Sequence, residues 1–260
     1  MINLPDELTD FASVLADIAR ESITPLFRSS ISIDTKSDNS PVTLADREAE
    51  GNMRRLINRQ YPDHGIIGEE YGDENINSDF VWVLDPIDGT RAFIAGKPTF
   101  GTLISLLYRN QPVIGIIDQP ILKERWVGLA KIGTTLNGAP INTRSCPALS
   151  DAILNTTSPG IFDQLSLAAF NKLSNQCKST LYGGDCYGYG LVACGLIDLV
   201  VESDLKPYDF CSLIPVVEAA GGRVVDWSGD ELSIQSSGKI IAAGDPGLSD
   251  VVLDILSSNS

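Results

Sequence analysis

Residues 82–90 read Trp82-Val83-Leu84-Asp85-Pro86-Ile87-Asp88-Gly89-Thr90, an apolar run that ends in two carboxylates three positions apart and then Gly-Thr. The apolar part, 81–84, has the length and composition of a buried strand. Pro86 is expected to stop that strand and set a turn, because its ring fixes φ and it has no N–H for a ladder. Gly89 lets the main chain come close to a neighbour, and Thr90 reads as a helix start. Acidic oxygens converging where unpaired N–H groups emerge make a place for divalent cations and for the phosphate they bridge.

Upstream, residues 6–28 carry Leu8, Phe11, Leu15, Ile18 and Ala19 at helical spacing, then Ile23, Leu26 and Phe27. The pattern predicts an amphipathic helix bent near Pro25. Residues 29–41 are polar, include Lys36-Ser37-Asp38-Asn39-Ser40, and read as a mobile loop. A second helix is expected over 43–60, broken by Tyr61-Pro62-Asp63-His64-Gly65. Downstream, strands are expected at 66–67, 81–84, 102–108, 113–117 and 124–129, with Asn110-Gln111-Pro112 as a hairpin turn and 133–142 as a second hairpin. The second half alternates: helix 163–174, strand 178–182, helix 185–194, strand 198–202, helix 210–220, strands 223–226 and 239–242, and helix 247–256. Pro215 lies inside the 210–220 helix and predicts a kink. Mixed elements without repeat or long linker indicate α/β or α+β architecture, two sheets sandwiched between helix layers. We read 1–260 as one catalytic domain with two packed halves, roughly 1–145 and 146–260.

The chain of 260 residues is long enough for a substantial core. Its 34 acids against 19 bases, a net charge of −15, argue against a nucleic-acid or anionic-membrane surface. A protein this acidic that handles phosphate needs local cations. No apolar run reaches the ~18–20 residues of a membrane span. MINLPDELTD has neither a basic n-region nor an apolar h-region. The five cysteines are odd in number and lack metal-site spacing, so they are expected to be reduced thiols in a cytoplasmic protein.

Further acids complete the pattern. Gly68-Glu69-Glu70-Tyr71-Gly72 follows a short apolar strand, sixteen residues before Asp85, and Asp209 precedes the helix that begins Phe210-Cys211-Ser212. Alone, Asp209 is an ordinary helix cap. Together with Asp85-Pro86-Ile87-Asp88-Gly89-Thr90 and the late Glu218-Ala219-Ala220-Gly221-Gly222, these segments resemble the inositol-monophosphatase-like superfamily of metal-dependent phosphatases, from Asp46 through the final strands. The resemblance implies a layered αβαβα sandwich. It also implies two or three Mg²⁺ ions held by Glu69, Asp85, the Ile87 carbonyl, Asp88 and Asp209, a hard all-oxygen set suited to that cation. By the same resemblance Glu69 orients the attacking water, Thr90 positions it, and Asp46 accepts from Thr90. The N–H groups of Gly89 and Thr90 receive phosphate oxygens, with Asp88 and Asp209 also lining the substrate site. Family members are usually homodimers acting on small-molecule phosphate esters, and strands 102–108 and 113–117 are expected near such an interface.

Inositol-specific members usually show Gly-Ser/Thr-Ala-Ala and Trp-Asp where this chain has Gly184-Asp185-Cys186-Tyr187 and Tyr208-Asp209. Thr90-Arg91-Ala92-Phe93-Ile94, Phe100-Gly101-Thr102-Leu103-Ile104 and Asp204-Leu205-Lys206-Pro207-Tyr208-Asp209 instead resemble the histidinol-phosphate phosphatase branch, which serves histidine biosynthesis. An inositol, sugar or nucleotide phosphate is the alternative substrate. Histidinol carries an ammonium and an imidazole, so Asp185 and Glu202 are expected as charge-assisted partners, with Tyr187 or Tyr189 as an aromatic wall. His64, the sole histidine, reads as a surface turn residue. Gly183-Gly184 and Gly188-Tyr189-Gly190 lack the spacing of a nucleotide fingerprint.

Overall fold

The computed structural model describes residues 6–29, 33–35 and 41–257. Helix α1 (Asp6–Ile23) is followed by a hairpin of β1 (Ile33–Thr35) and β2 (Pro41–Thr43), then by helix α2 (Leu44–Gln60). Next come β3 (Gly65–Gly68), β4 (Gly72–Glu74), β5 (Phe80–Asp88) and the single-turn α3 (Thr90–Ile94). A meander of β6 (Gly101–Tyr108), β7 (Gln111–Gln119), β8 (Glu124–Leu129), β9 (Gly133–Leu136) and β10 (Ala139–Ile141) completes one eight-stranded sheet, in the order β10-β9-β8-β7-β6-β5-β3-β4. The second half supplies β11 (Ile153–Thr156), α4 (Gln164–Ser174), β12 (Ser179–Tyr182), α5 (Asp185–Ala193), β13 (Leu199–Glu202), α6 (Pro207–Phe210), α7 (Leu213–Glu218), β14 (Arg223–Asp226), β15 (Ile240–Ala243) and α8 (Pro246–Ser257). Its five strands run β12-β11-β13-β15-β14.

Period-two alternation along the strands sorts the cores. Trp82, Leu84, Ile104 and Ile116 face α1 and α2, burying Leu15, Ala19, Ala49 and Met53 with them. Val81, Val83, Leu103 and Ile117 face the other way, onto α5 and α7 and the inner face of the small sheet at Val200, Val224 and Ala242. Leu199, Val201 and Ile241 point outward to α4 and α8. The result is a layered αβαβα sandwich, the architecture expected from the sequence.

Strands β6 and β7 lie at the centre of the large sheet with both faces covered by packed side chains, so any contact with a partner near them would be made by their ends. Helix α1 ends at Ile23, and Pro25 sits in a 3₁₀ turn over Thr24–Leu26. Part of the stretch read as a loop forms the β1–β2 hairpin; residues 36–40 lie outside the described residues. Strands β4 and β11 were not anticipated, because Gly72-Asp73-Glu74 is exposed throughout and Ile153-Leu154-Asn155-Thr156 ends in two buried polar residues, so neither carries an apolar run. His64 is half-buried, stacked on Tyr61 and Phe80, and its Nδ1 accepts from the Trp82 indole at 3.1 Å.

Pro86 does not stop β5. The strand continues to Asp88 through a bulge: Asp85 pairs with Leu103 and Asp88 with Gly101, so three steps on β5 oppose two on β6. The bulge removes the ladder bond that proline cannot make, and the Pro86 carbonyl accepts from Thr102 Oγ1 at 2.8 Å. Pro215 likewise interrupts hydrogen bonding between α6 and α7 while Cys211 and Ser212 keep right-handed helical dihedrals. The Cys211 carbonyl, whose helical donor would be residue 215, accepts instead from Ser105 Oγ at 3.2 Å. This segment lies directly on the large sheet at two glycines. A Cβ on Gly115 would come within 2.6 Å of Pro215 Cγ, and one on Gly128 within 2.5 Å of the Pro215 carbonyl carbon. Adding a methyl in Gly115→Ala should therefore destabilise the protein by about 1–3 kcal/mol, read as a lowered thermal midpoint. Unchanged melting would mean the contact relaxes freely.

Candidate active site

The bulge decides the geometry of the acidic motif. In a regular strand, residues three apart point to opposite faces. The extra residue between Asp85 and Asp88 restores them to one face, opposite Leu103 and Gly101, which are two apart. That face looks toward α5 and α6. β3 runs parallel beside β5 with Gly68 opposite Leu84, and Glu69 N–H donates to the Leu84 carbonyl at 3.2 Å, so Glu69 emerges next to Asp85. Asp209, in the first turn of α6, accepts the Lys206 N–H at 2.6 Å and so caps its helix. It also joins the cluster: one carboxylate oxygen each from Asp85, Asp88 and Asp209 lies within 4.8 Å of the others.

Burial pushes Asp85 well above the ordinary carboxylate range, reinforced by repulsion from Glu69, Asp88 and Asp209. Asp88 is raised by burial and by Asp185 and Asp209, although the Cys186 N–H donates to it at 2.6 Å. Asp209 is pushed up to about 7, chiefly by burial, against the Lys206 N–H. Acidic neighbours raise Asp85, Lys206 offsets Asp209 only in part, and hard oxygens gathered with so little counter-charge fit divalent cations of the Mg²⁺ kind. The Ile87 N–H is turned to Asp85 Oδ1 at 2.9 Å, and its carbonyl lies 3.1 Å from Thr90 Oγ1.

Thr90 Oγ1 also stands 3.4 Å from Asp46 Oδ1. Both neighbours are acceptors, so the hydroxyl proton turns back into the protein and the oxygen's lone pairs face outward. Asp46 is fixed by a capping box: Thr43 N–H and Oγ1 donate to Asp46 Oδ2 at 2.8 and 2.6 Å. Burial raises the pKa of Asp46 despite these bonds.

Beside the cluster opens a cleft of about 130 Å³, lined by Asp88, Asp185, Tyr189, Glu202 and Asp209 among others. Asp185 has φ +46°, and its Oδ2 accepts from Thr99 Oγ1 at 3.1 Å. Its carboxylate packs against Gly89, where a Cβ would come within 2.6 Å of Asp185 Cγ; Gly89 itself has φ +83°. Glu202 accepts from Thr157 N–H at 2.8 Å and from Tyr189 OH at 3.1 Å. Tyr187 is not a cleft wall: its hydroxyl donates to Glu124 at 2.6 Å and its ring meets Trp126 edge-on. Lys206 pairs with Asp204 at 2.9 Å. Of the supporting groups that sequence reasoning missed, Thr43 was legible as the head of a Thr-x-x-Asp capping pattern. Thr99 and Thr157 carry no local signal, since their partners lie 86 and 45 residues away.

A model described as the inositol monophosphatase family matches residues 4–259. The chain belongs to this family. It is 48% identical to the bifunctional phosphatase IMPL2, chloroplastic, of Arabidopsis thaliana, over 97% of this chain and 78% of that protein. It is 34% identical to a histidinol-phosphatase of Chlorobaculum parvum, over 83% of each. Its fold matches an inositol monophosphatase from Zymomonas mobilis with a TM-score of 0.90 and 48% identity, covering 98% of this chain and 100% of that one. As a member of the inositol monophosphatase family the protein is a phosphatase, and the family's metal dependence accords with the acidic cluster. Among the described residues no helix is long and apolar enough to cross a membrane.

A carboxyl whose folded pKa exceeds its unfolded value of about 4 contributes stability that is full below that value. The contribution is lost as pH rises through the folded pKa, about 7 for Asp209. Metal-free protein should therefore lose stability on going from about pH 5 to pH 8, and millimolar Mg²⁺ should raise the melting temperature more at the higher pH, where it does not compete with protons. Scanning calorimetry at both values checks this; an equal Mg²⁺ shift at the two would contradict it.

Proposed function

We propose that the protein is a Mg²⁺-dependent histidinol-phosphatase, converting L-histidinol phosphate to L-histidinol and phosphate in histidine biosynthesis as a cytoplasmic homodimer. The observation that carries this reading is the lining of the cleft. Beyond Asp88 and Asp209 it presents Asp185 and Glu202, and among the described residues no lysine or arginine lines it. A leaving group that bears an ammonium and a protonatable imidazole gains both charge attraction and hydrogen bonds there, whereas a polyol offers the same carboxylates only neutral hydroxyl donors. The histidinol-phosphatase of Chlorobaculum parvum, similar over most of its length, supports the assignment.

In this reading Glu69, Asp85, the Ile87 carbonyl, Asp88 and Asp209 hold two or three ions. Bound Mg²⁺ neutralises phosphate oxygens and makes water more acidic. Glu69 and Thr90 orient a water toward phosphorus. The outward lone pairs of Thr90 accept its hydrogen bond, and Asp46 keeps the threonine proton turned inward. The Gly89 and Thr90 N–H groups bind phosphate oxygens, and α3, only five residues long, adds little dipole to those two donors. Asp185 and Glu202 draw the cationic end of the substrate into the cleft.

A second reading, inositol monophosphate, is favoured by the 48% identity to the Zymomonas mobilis inositol monophosphatase. Phosphate release measured as kcat/KM on L-histidinol phosphate and on inositol 1-phosphate separates the two, and a higher value on the inositol ester would overturn the first. Asp185→Asn keeps a residue type tolerant of positive φ while removing the charge. It should cost about 1.5–3 kcal/mol of binding, roughly a 10- to 150-fold fall in kcat/KM on histidinol phosphate, with little change on inositol phosphate. Asp85→Asn should remain folded and lose roughly 10³-fold in kcat. Near-normal turnover in that variant would remove Asp85 from the ion-binding set.

A further inference from the structure

One turn of helix beyond Asp46, α2 carries a second buried acid, Glu50, with Arg54 beside it. Arg54 Nε donates to Glu50 Oε1 at 2.7 Å. The pair does not close on itself. Glu50 Oε2 accepts the Glu70 N–H at 2.7 Å, and Oε1 also accepts the Tyr71 N–H at 3.2 Å. Arg54 Nη2 donates to the Gly72 carbonyl, and Nη1 lies 3.5 Å from Glu74. Gly68 is where the chain rides over the pair: a Cβ there would stand 2.7 Å from Glu50 Cδ and 2.5 Å from Arg54 Nη2. The two side chains therefore hold the main chain of residues 70–72 just beyond Glu69, pack closely under Gly68 just before it, and leave the Glu69 N–H to β5.

Burial of an ion pair is a weak source of stability, because desolvation offsets most of the attraction. A carboxylate that accepts two successive main-chain N–H groups instead fixes a backbone, and hence the direction of the side chain between its anchors. We propose that Glu50, held by Arg54, is a positioning residue for Glu69: it sets the Glu69 carboxylate against Asp85 so that cation and water are held in one place. With Asp46 on the same helix, α2 then ties the Thr90 hydroxyl and Glu69 to one rigid body. The proposal rests on the reading that Glu69 serves the ion site.

Glu50→Gln swaps one acceptor oxygen for a donor facing an N–H. It should lower kcat about 10- to 100-fold with KM for the phosphate ester nearly unchanged, and raise the Mg²⁺ concentration needed for half-saturation in calorimetric titration. In hydrogen exchange the Glu70 and Tyr71 amides should exchange at least about tenfold faster than in the parent, while amides of β6 and β7 keep their protection. The double variant Glu50→Leu/Arg54→Leu restores apolar packing without the acceptors. If it melts at the parent temperature yet shows the same loss, a purely structural role is excluded. A folded variant of either kind with parental kcat and parental Mg²⁺ binding overturns the proposal. Should both fail to fold, Arg54→Lys, which keeps the charge but loses the fork, is read against the same outcomes. Glu69→Gln separates the two layers of inference: loss there beside a normal Glu50→Gln rejects positioning alone, whereas parental Mg²⁺ binding and turnover in Glu69→Gln reject the role of Glu69 itself.

Discussion

Buried carboxylates repel one another, and this chain brings several together from distant points of its sequence. Asp85 and Asp88 come from one bulged strand, Glu69 from the end of its parallel neighbour, and Asp209 from a helix more than a hundred residues later. Desolvation and mutual repulsion both oppose that assembly, as the raised pKa values of Asp85, Asp88 and Asp209 record. The surrounding fold has to hold the acids where they would not gather by themselves. Much of its irregularity is explained by that requirement.

Main-chain donors do most of the holding. Asp88 takes the Cys186 N–H, Asp209 the Lys206 N–H, Asp85 the Ile87 N–H, and Asp46 the Thr43 N–H. Each such bond orients one carboxylate oxygen and leaves the other toward the site. The glycines at 115 and 128 act at longer range, letting the α6–α7 segment settle directly on the large sheet, so the height of Asp209 above Asp85 is set by backbone contact. The two halves of the molecule meet along this contact, and the cleft opens beside it.

The sequence was most legible where residue types are distinctive or patterns long. The heptad-like spacing of Leu8, Phe11, Leu15 and Ala19 gave α1, and the acids of the 85–90 motif stood out by chemistry alone. Less visible was anything decided by a partner far along the chain. Pro86 argues locally for a strand end, yet the strand runs on because the pairing with β6 bulges there. Pro215 argues for the interruption that separates α6 from α7, but nothing local shows that Ser105, more than a hundred residues away, takes the freed carbonyl. Glu50 carries no local signal, because the main-chain groups it holds lie about twenty residues further on. Tyr187 and Tyr189, two positions apart on α5, necessarily face different ways, and of the two only Tyr189 lines the cleft.

Asp185 sits at φ +46° on the lip of the cleft, a backbone setting in which side chains beyond glycine, asparagine and aspartate are strained. Conformation thus biases that site toward short polar side chains before any ligand is considered. Such side chains differ in charge and hydrogen bonding, with little range in bulk. Divergence of selectivity at this position would proceed by switching polarity in discrete steps, and gradual reshaping of the cavity would have to come from elsewhere on its rim.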